Sequence, residues 1–186
     1  LTEKQFNAIK YIENLENGEV IDLNMLGSQE TIKYLIWLYG NDLRYGYAHR
    51  SKLAINALNA MTNSGLKGNQ LTVLRNAFIK GLNASNTSTI VYASEKLGEL
   101  GDVRARGALL ECLSKHTLPE TLTTLKKLGV TDTELVDAYI QSLKTDNRQI
   151  IENAIQKLGE LGNVHAVDPL IQFAQEYANP LVVDAL

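Results

Sequence analysis

Apolar residues recur three or four positions apart along most of the chain, the spacing that places them on one face of an α-helix. The pattern is clearest between residues 150 and 174, where a short turn containing glycine separates two apolar stripes. The first stripe is Ile150, Ile151, Ala154, Ile155 and Leu158, and the second is Val164, Val167, Leu170, Ile171 and Ala174. Each stripe predicts an amphipathic helix of about 11 to 14 residues. This stretch therefore predicts two helices joined by a turn.

The predicted helix pair repeats along the chain. The stretch KLGELG begins at Lys96 and again at Lys157, and a parallel marker reads AFIKGL, ALLECL, AYIQSL and PLIQFA. A Leu-Gly pair recurs at steps of 31 and 30 residues, at Leu97-Gly98, Leu128-Gly129 and Leu158-Gly159. A fixed period of this length is typical of helical-repeat proteins, in which each unit packs against its neighbours.

The repeats predict an all-α solenoid of about five helix pairs, forming a single domain over residues 1–186. Regular units are predicted at 87–116, 117–146 and 147–178, irregular units at 1–45 and 46–86, and a partial unit at 179–186. Because the last unit is incomplete and position 1 is leucine, we expect the chain to be a fragment of a longer array.

Glycine, aspartate and asparagine at repeated places predict the turn inside each unit. The first helix is predicted to end in a left-handed glycine, at Gly98, Gly129 and Gly159. The second helix is predicted to begin at a side-chain oxygen that accepts hydrogen bonds from free backbone amides, at Asn69, Asp102, Asp132 and Asn163. Gly101, Gly162 and Arg104 complete the predicted turn. Backbone chemistry thus accounts for the repeated motif, so we interpret it as scaffold.

The run ASEKLGELGDVRARGALLECL resembles the HEAT-like repeats named after phycobilisome lyases. The later copy from Ala154 to Ala174 also resembles them, with Asn163 and His165 in place of the usual Asp and Arg. The resemblance implies a right-handed α-α superhelix whose second helices line the concave face. It also implies that the turn residues Asp102 and Arg104 bridge neighbouring units.

Composition narrows the classes of function. The chain has 18 Lys and Arg against 21 Asp and Glu, a net charge of -3, which disfavours nucleic acid as a partner. Its single cysteine, Cys112, excludes an internal disulfide and favours a reducing, cytoplasmic location. No apolar run approaches the roughly 20 residues needed to cross a bilayer. We therefore expect a cytoplasmic protein that is not inserted into a membrane.

The segment YLIWLYGNDLRYGYAHR, residues 34–50, has the most unusual composition in the chain. Aromatic rings beside arginine favour a protein contact, a stacking platform for unpaired bases or a clamp for a linear tetrapyrrole. Two further arginines fall in one second-helix row that turns from basic to apolar along the chain. The candidate partner- or ligand-binding residues are Arg44, Tyr45, Tyr47, His49, Arg50, Arg75 and Arg106.

No constellation of residues in the sequence indicates catalysis or metal binding. The three histidines lack ligand spacing with one another or with Cys112, and no phosphate loop or nucleophile elbow is found. We therefore predict no catalytic residue, no metal and no cofactor.

The favoured interpretation is a protein-protein interaction scaffold that presents a concave helical surface. The resemblance implies an alternative, a phycobilin lyase subunit or bilin-handling protein, in which the candidate residues would hold a linear tetrapyrrole. A helical-repeat nucleic-acid binder is a weaker alternative, because Asp137 and Asp168 fall on the predicted concave face. The sequence predicts neither the identity of the partner nor the oligomeric state.

Overall fold

The structure is a computed structural model that describes residues 68–177 and, singly, Asn59, Val182 and Ala185. Seven α-helices, two short 3₁₀-helices and no strand are found in this part of the chain. The α-helices are α1 (Gly68–Gly81), α2 (Thr87–Leu100), α3 (Arg106–His116), α4 (Pro119–Lys127), α5 (Asp132–Ser142), α6 (Arg148–Leu161) and α7 (Val167–Tyr177). The 3₁₀-helices are η1 (Val103–Ala105) and η2 (Val164–Ala166). The all-α prediction is confirmed for these residues, while the solenoid and the number of repeats stay predictions.

Some predicted features lie outside the described residues. These are the irregular unit 1–45, almost all of 46–67, most of the partial unit 179–186, and the candidate residues Arg44, Tyr45, Tyr47, His49 and Arg50.

The chain divides into two compact units, Leu1–Asp102 and Val103–Leu186. Helices α1 and α2 belong to the first unit, and α3 to α7 belong to the second. The boundary falls in the turn of the regular repeat predicted at 87–116. The organisation of 1–186 as one domain stays a prediction.

In the first unit, α1 packs against α2 around a fully buried apolar core. Leu74, Phe78 and Leu97 have no exposed surface, and the ring of Phe78 meets that of Tyr92 edge to face at a centroid distance of 6.0 Å. Asn86 caps α2, because its side chain accepts a hydrogen bond from the Thr89 backbone amide. The apolar face of α1 thus packs against the apolar face of α2.

In the second unit, helices from the same place in consecutive predicted repeats are neighbours. Helix α3 packs against both α4 and α5, α5 packs against α6, and η2 also contacts α5. Leu109, Leu125, Tyr139 and Leu158 lie in the core of this unit with at most 2% of their surface exposed. Packing between α3 and α5, the second helices of adjacent predicted units, is the arrangement that a repeat protein requires.

Left-handed glycines follow α2, α4 and α6, at Gly101, Gly129 and Gly162, with φ of 65°, 74° and 56°. Gly129 is confirmed, but the same prediction is wrong for Gly98 and Gly159, which lie inside α2 and α6. In both copies the motif LGELG offers two glycines three residues apart, and the helix continues to the second. The amide of each left-handed glycine donates back to a carbonyl of the last turn, as in Gly101 N to Gly98 O at 3.3 Å.

Gly159 has a different structural role, the close approach of another chain segment. A Cβ at this position would lie 3.0 Å from the Cα of Ala185, closer than an ordinary van der Waals contact. The lack of a side chain therefore allows the backbone at Ala185 to approach α6.

The four predicted caps have different outcomes, and Asn69 lies inside α1. Asn163 caps η2 and not α7, because its Oδ1 accepts from the His165 amide at 3.0 Å. For α5 the cap is Thr131, and Asp132 is the first helical residue. Asp102 was predicted to cap the second helix of its unit, but that helix, α3, begins after η1 with Ala105 at the cap position. Thr131 supplies the capping oxygen of α5, whereas Ala105 makes no side-chain cap hydrogen bond, since η1 separates Asp102 from α3.

The turn assignment predicts opposite stability effects for two glycine-to-alanine substitutions. Gly162→Ala is expected to lower the free energy of unfolding by about 1 kcal/mol, since alanine is strained in the left-handed region. Gly107→Ala is expected to raise it by about 0.5 kcal/mol, because a methyl group stiffens the unfolded chain and meets nothing within 4 Å in α3. Urea unfolding followed by circular dichroism measures both. Equal shifts of the same sign would contradict the assignment.

Candidate interaction surface

Arg75, a predicted contact residue, lies largely buried within the first unit. Its Nη1 donates to Asp102 Oδ2 at 2.8 Å, and its Nε and Nη2 donate to Asn76 Oδ1. The side chains of Arg75 and Asp102 are only 11% and 7% exposed. This ion pair links the turn after α2 to helix α1. The role of Arg75 in binding a partner stays a prediction, and only a small part of its surface is open to one.

Arg106 follows Arg75 in the same predicted row and is the first residue of α3. Its Nη2 donates to the Gly129 carbonyl at 2.9 Å and to Glu134 Oε2 at 2.7 Å. Glu134 also accepts from the Thr131 backbone amide and hydroxyl, completing a capping box at the start of α5. Hydrogen bonds from Thr131, followed by the charge of Arg106, hold the pKa of Glu134 below its ordinary value. Arg106 therefore joins α3 to the turn between α4 and α5.

The cysteine and the two described histidines lie apart from one another, at positions that differ in burial. Cys112 is buried, its Sγ lies 3.9 Å from Thr121 Oγ1, and burial raises its thiol pKa. Partial burial and the neighbouring Lys115 lower the pKa of His116. His165 is exposed in η2. Among the described residues, no three His, Cys, Asp or Glu side chains lie close enough together to hold a metal ion.

An exposed apolar row runs along η2 and α7. Val164 is 76% exposed, Val167 37% and Ile171 40%, and their spacing of three and four residues keeps them on one side. The other side of the same element is core, where Ala166 and Leu170 are at most 3% exposed. This element thus has an apolar side toward the core and a second apolar side toward solvent.

Acidic side chains accompany the exposed row. Asp168 lies on α7 next to Val167, and Asp137 lies on α5, which contacts η2; both are exposed. No Lys or Arg occurs in α5, or anywhere from Val164 to the last residue. We name the surface formed by Asp137, Val164, Val167, Asp168 and Ile171 the acidic apolar face.

A cavity of about 620 Å³ lies along α6 in the second unit. Its lining consists of Gln149, Glu152, Asn153, Ile155, Gln156, Gly159, Glu160 and Ala185. Most of these polar groups are already paired, as in Gln156 to Glu160 at 2.9 Å and Asn153 to the Thr117 hydroxyl at 3.3 Å. The cavity therefore offers few free polar groups to a ligand.

Sequence reasoning placed Asp137 and Asp168 on a surface row, and the structure shows both exposed. It missed the second apolar side of α7, because Val164, Val167 and Ile171 were assigned with the core residues to one stripe. A signal was present in the sequence, since apolar residues at 164, 166, 167, 170, 171 and 173 are too many for one helical face.

Comparison with known protein families and with curated proteins finds no match to this chain. The resemblance to HEAT-like repeats therefore rests on the quoted residues alone. None of the described helices has the length and apolar character needed to cross a membrane.

Proposed function

We propose that this protein is an interaction scaffold made of helical repeats, with the acidic apolar face as its contact surface for another protein. One observation carries the proposal, the exposed row of Val164, Val167 and Ile171 beside a separate buried side of the same helix. Contiguous apolar residues at the surface mark sites of protein contact more often than scattered ones do. The finer architecture, a right-handed solenoid with second helices on its concave side, is part of the same proposal.

The surroundings of the face support a pre-ordered surface. Asn163 caps η2, the Thr131 and Glu134 capping box fixes the start of α5, and Arg106 ties that start to α3. A surface held in place by these contacts loses little conformational entropy when a partner binds. Binding by docking onto rigid helices is therefore favoured over binding that orders a loop.

The proposal is tested by affinity capture from an extract of the native organism, using the full chain and the double variant Val167→Ser with Ile171→Ser. We expect proteins retained by the wild-type chain to be lost from the variant, while both show the same circular dichroism spectrum. Val103→Ser is the matched control, because Val103 is also an exposed valine in a 3₁₀-turn. Retention of the same proteins by all three chains, or by none, would contradict the proposal.

A further inference from the structure

We infer that the acidic apolar face binds an amphipathic helix of a partner protein, with Lys or Arg flanking its apolar stripe. The inference rests on the proposed function and names the chemistry of the partner. Its basis is an exposed apolar row with acidic side chains beside it, on elements that contain no Lys or Arg.

The length of the apolar row fits a helix. It runs over eight residues from Val164 to Ile171, and the seven steps between them correspond to about two helical turns, or roughly 10 Å. A partner helix offers apolar side chains at the same interval, at positions i, i+3 or i+4, and i+7. The described residues contain no strand, so the face gives a partner strand no sheet edge to extend. A helix therefore matches the row better than an extended segment.

The charge of the acidic apolar face determines which partner helices it favours. Asp137 and Asp168 are exposed, and neither forms an ion pair with a described residue. Since α5 and the residues from Val164 to Tyr177 contribute no Lys or Arg, carboxylates supply the fixed charge of these elements beside the apolar row. Complementary charge at the edge of an interface speeds association and rejects partners of like charge. The face thus favours basic partners and disfavours acidic ones, including nucleic acids and anionic membranes.

The test begins with a displayed library of random peptides of about 16 residues, long enough for about four helical turns. Peptides are selected on the full chain, made with a fluorescent label, and measured by anisotropy against the wild-type chain and its variants. We expect enriched peptides to combine apolar residues at helical spacing with Lys or Arg. Enrichment of acidic peptides, or no enrichment, would overturn the inference.

Two double variants separate the apolar and charge contributions. Val167→Ser with Ile171→Ser is expected to weaken binding by at least about tenfold, as loss of buried contact side chains does. Asp137→Asn with Asp168→Asn is expected to weaken it by about threefold at low salt, and by less at high salt, because ions screen exposed charges. Val103→Ser is expected to bind as the wild-type chain does. Equal affinity for all four chains would place the peptides elsewhere and overturn the inference.

The failure of this inference differs from failure of the proposed function. If the face captures proteins from the native extract and yet selects no basic helical peptide, the scaffold function stands and the partner chemistry is wrong. If the native extract yields no protein that depends on Val167 and Ile171, the proposed function itself fails.

Discussion

Replacing Arg75 by methionine lowers the free energy of unfolding by about 3 kcal/mol, the cost of removing one charge from a largely buried ion pair. Asp102 is the charge left behind, since its side chain is 7% exposed and accepts from Arg75 at 2.8 Å. The effect exceeds that of an ordinary surface ion pair, because little water is available to replace the guanidinium. Urea unfolding of the full chain, followed by circular dichroism, measures the loss.

Two further variants test the cause. Arg75→Met combined with Asp102→Asn is expected to recover at least half of the lost stability, because no buried charge remains. Arg148→Met removes an ion pair with Glu152 in which the arginine side chain is 91% exposed, and no measurable change is expected. If Arg75→Met unfolded at the wild-type urea concentration, the Arg75 and Asp102 pair would have no structural role.

Alkaline pH is expected to destabilise the protein through Tyr139. This side chain is 2% exposed, and burial, followed by the charge of Glu160, raises the pKa of its phenol to about 12. A tyrosine in the unfolded chain ionises near pH 10. Below that pH the phenol is neutral in both states, and its contribution to the stability is fully present. Between pH 10 and 12 the unfolded state releases the proton first, and the stability falls by about 2 kcal/mol.

Tyr139→Phe is expected to remove most of this alkaline loss while leaving the stability at pH 8 nearly unchanged. The measurement is the urea midpoint of each variant at pH 8 and at pH 11. Tyr177→Phe serves as the comparison. Tyr177 is 60% exposed, and a hydrogen bond to Glu176, followed by the charge of that carboxylate, raises its phenol pKa, so this substitution should remove a smaller part of the alkaline loss. An equal loss of stability in the wild-type chain and in Tyr139→Phe would show that another group titrates.

Within the described residues, helix pairs could be predicted because their apolar spacing is a local property of the sequence. The pairs expected at 87–116, 117–146 and 147–178 correspond to helices that begin at Thr87, Pro119 and Arg148. The exact turn residues were harder to predict. Gly98 and Gly101 both permit a left-handed helix end, and the choice between them depends on how far the last turn remains packed.

The second-helix row that contains Arg75 and Arg106 does not predict the ion pairs of these two arginines. Their acidic partners, Asp102 and Glu134, lie 27 and 28 residues further along the chain. Such distances are joined only by the packing of one helix pair on the next. Residues in the same row also differ in exposure, since Val136 is completely buried and Val167 is 37% exposed.

The carboxylate of Glu134 has a consequence for how the repeats can vary. In the repeat 117–146 the linker between the helices is shorter and lacks a 3₁₀-turn, and the acid at the place of Asp102, Asp132, is already the first residue of α5. Glu134 supplies the acid from inside the next helix and still reaches Arg106. A second-helix arginine therefore pairs with an acid of the following turn region in both places, although that acid comes from the linker at Asp102 and from inside α5 at Glu134.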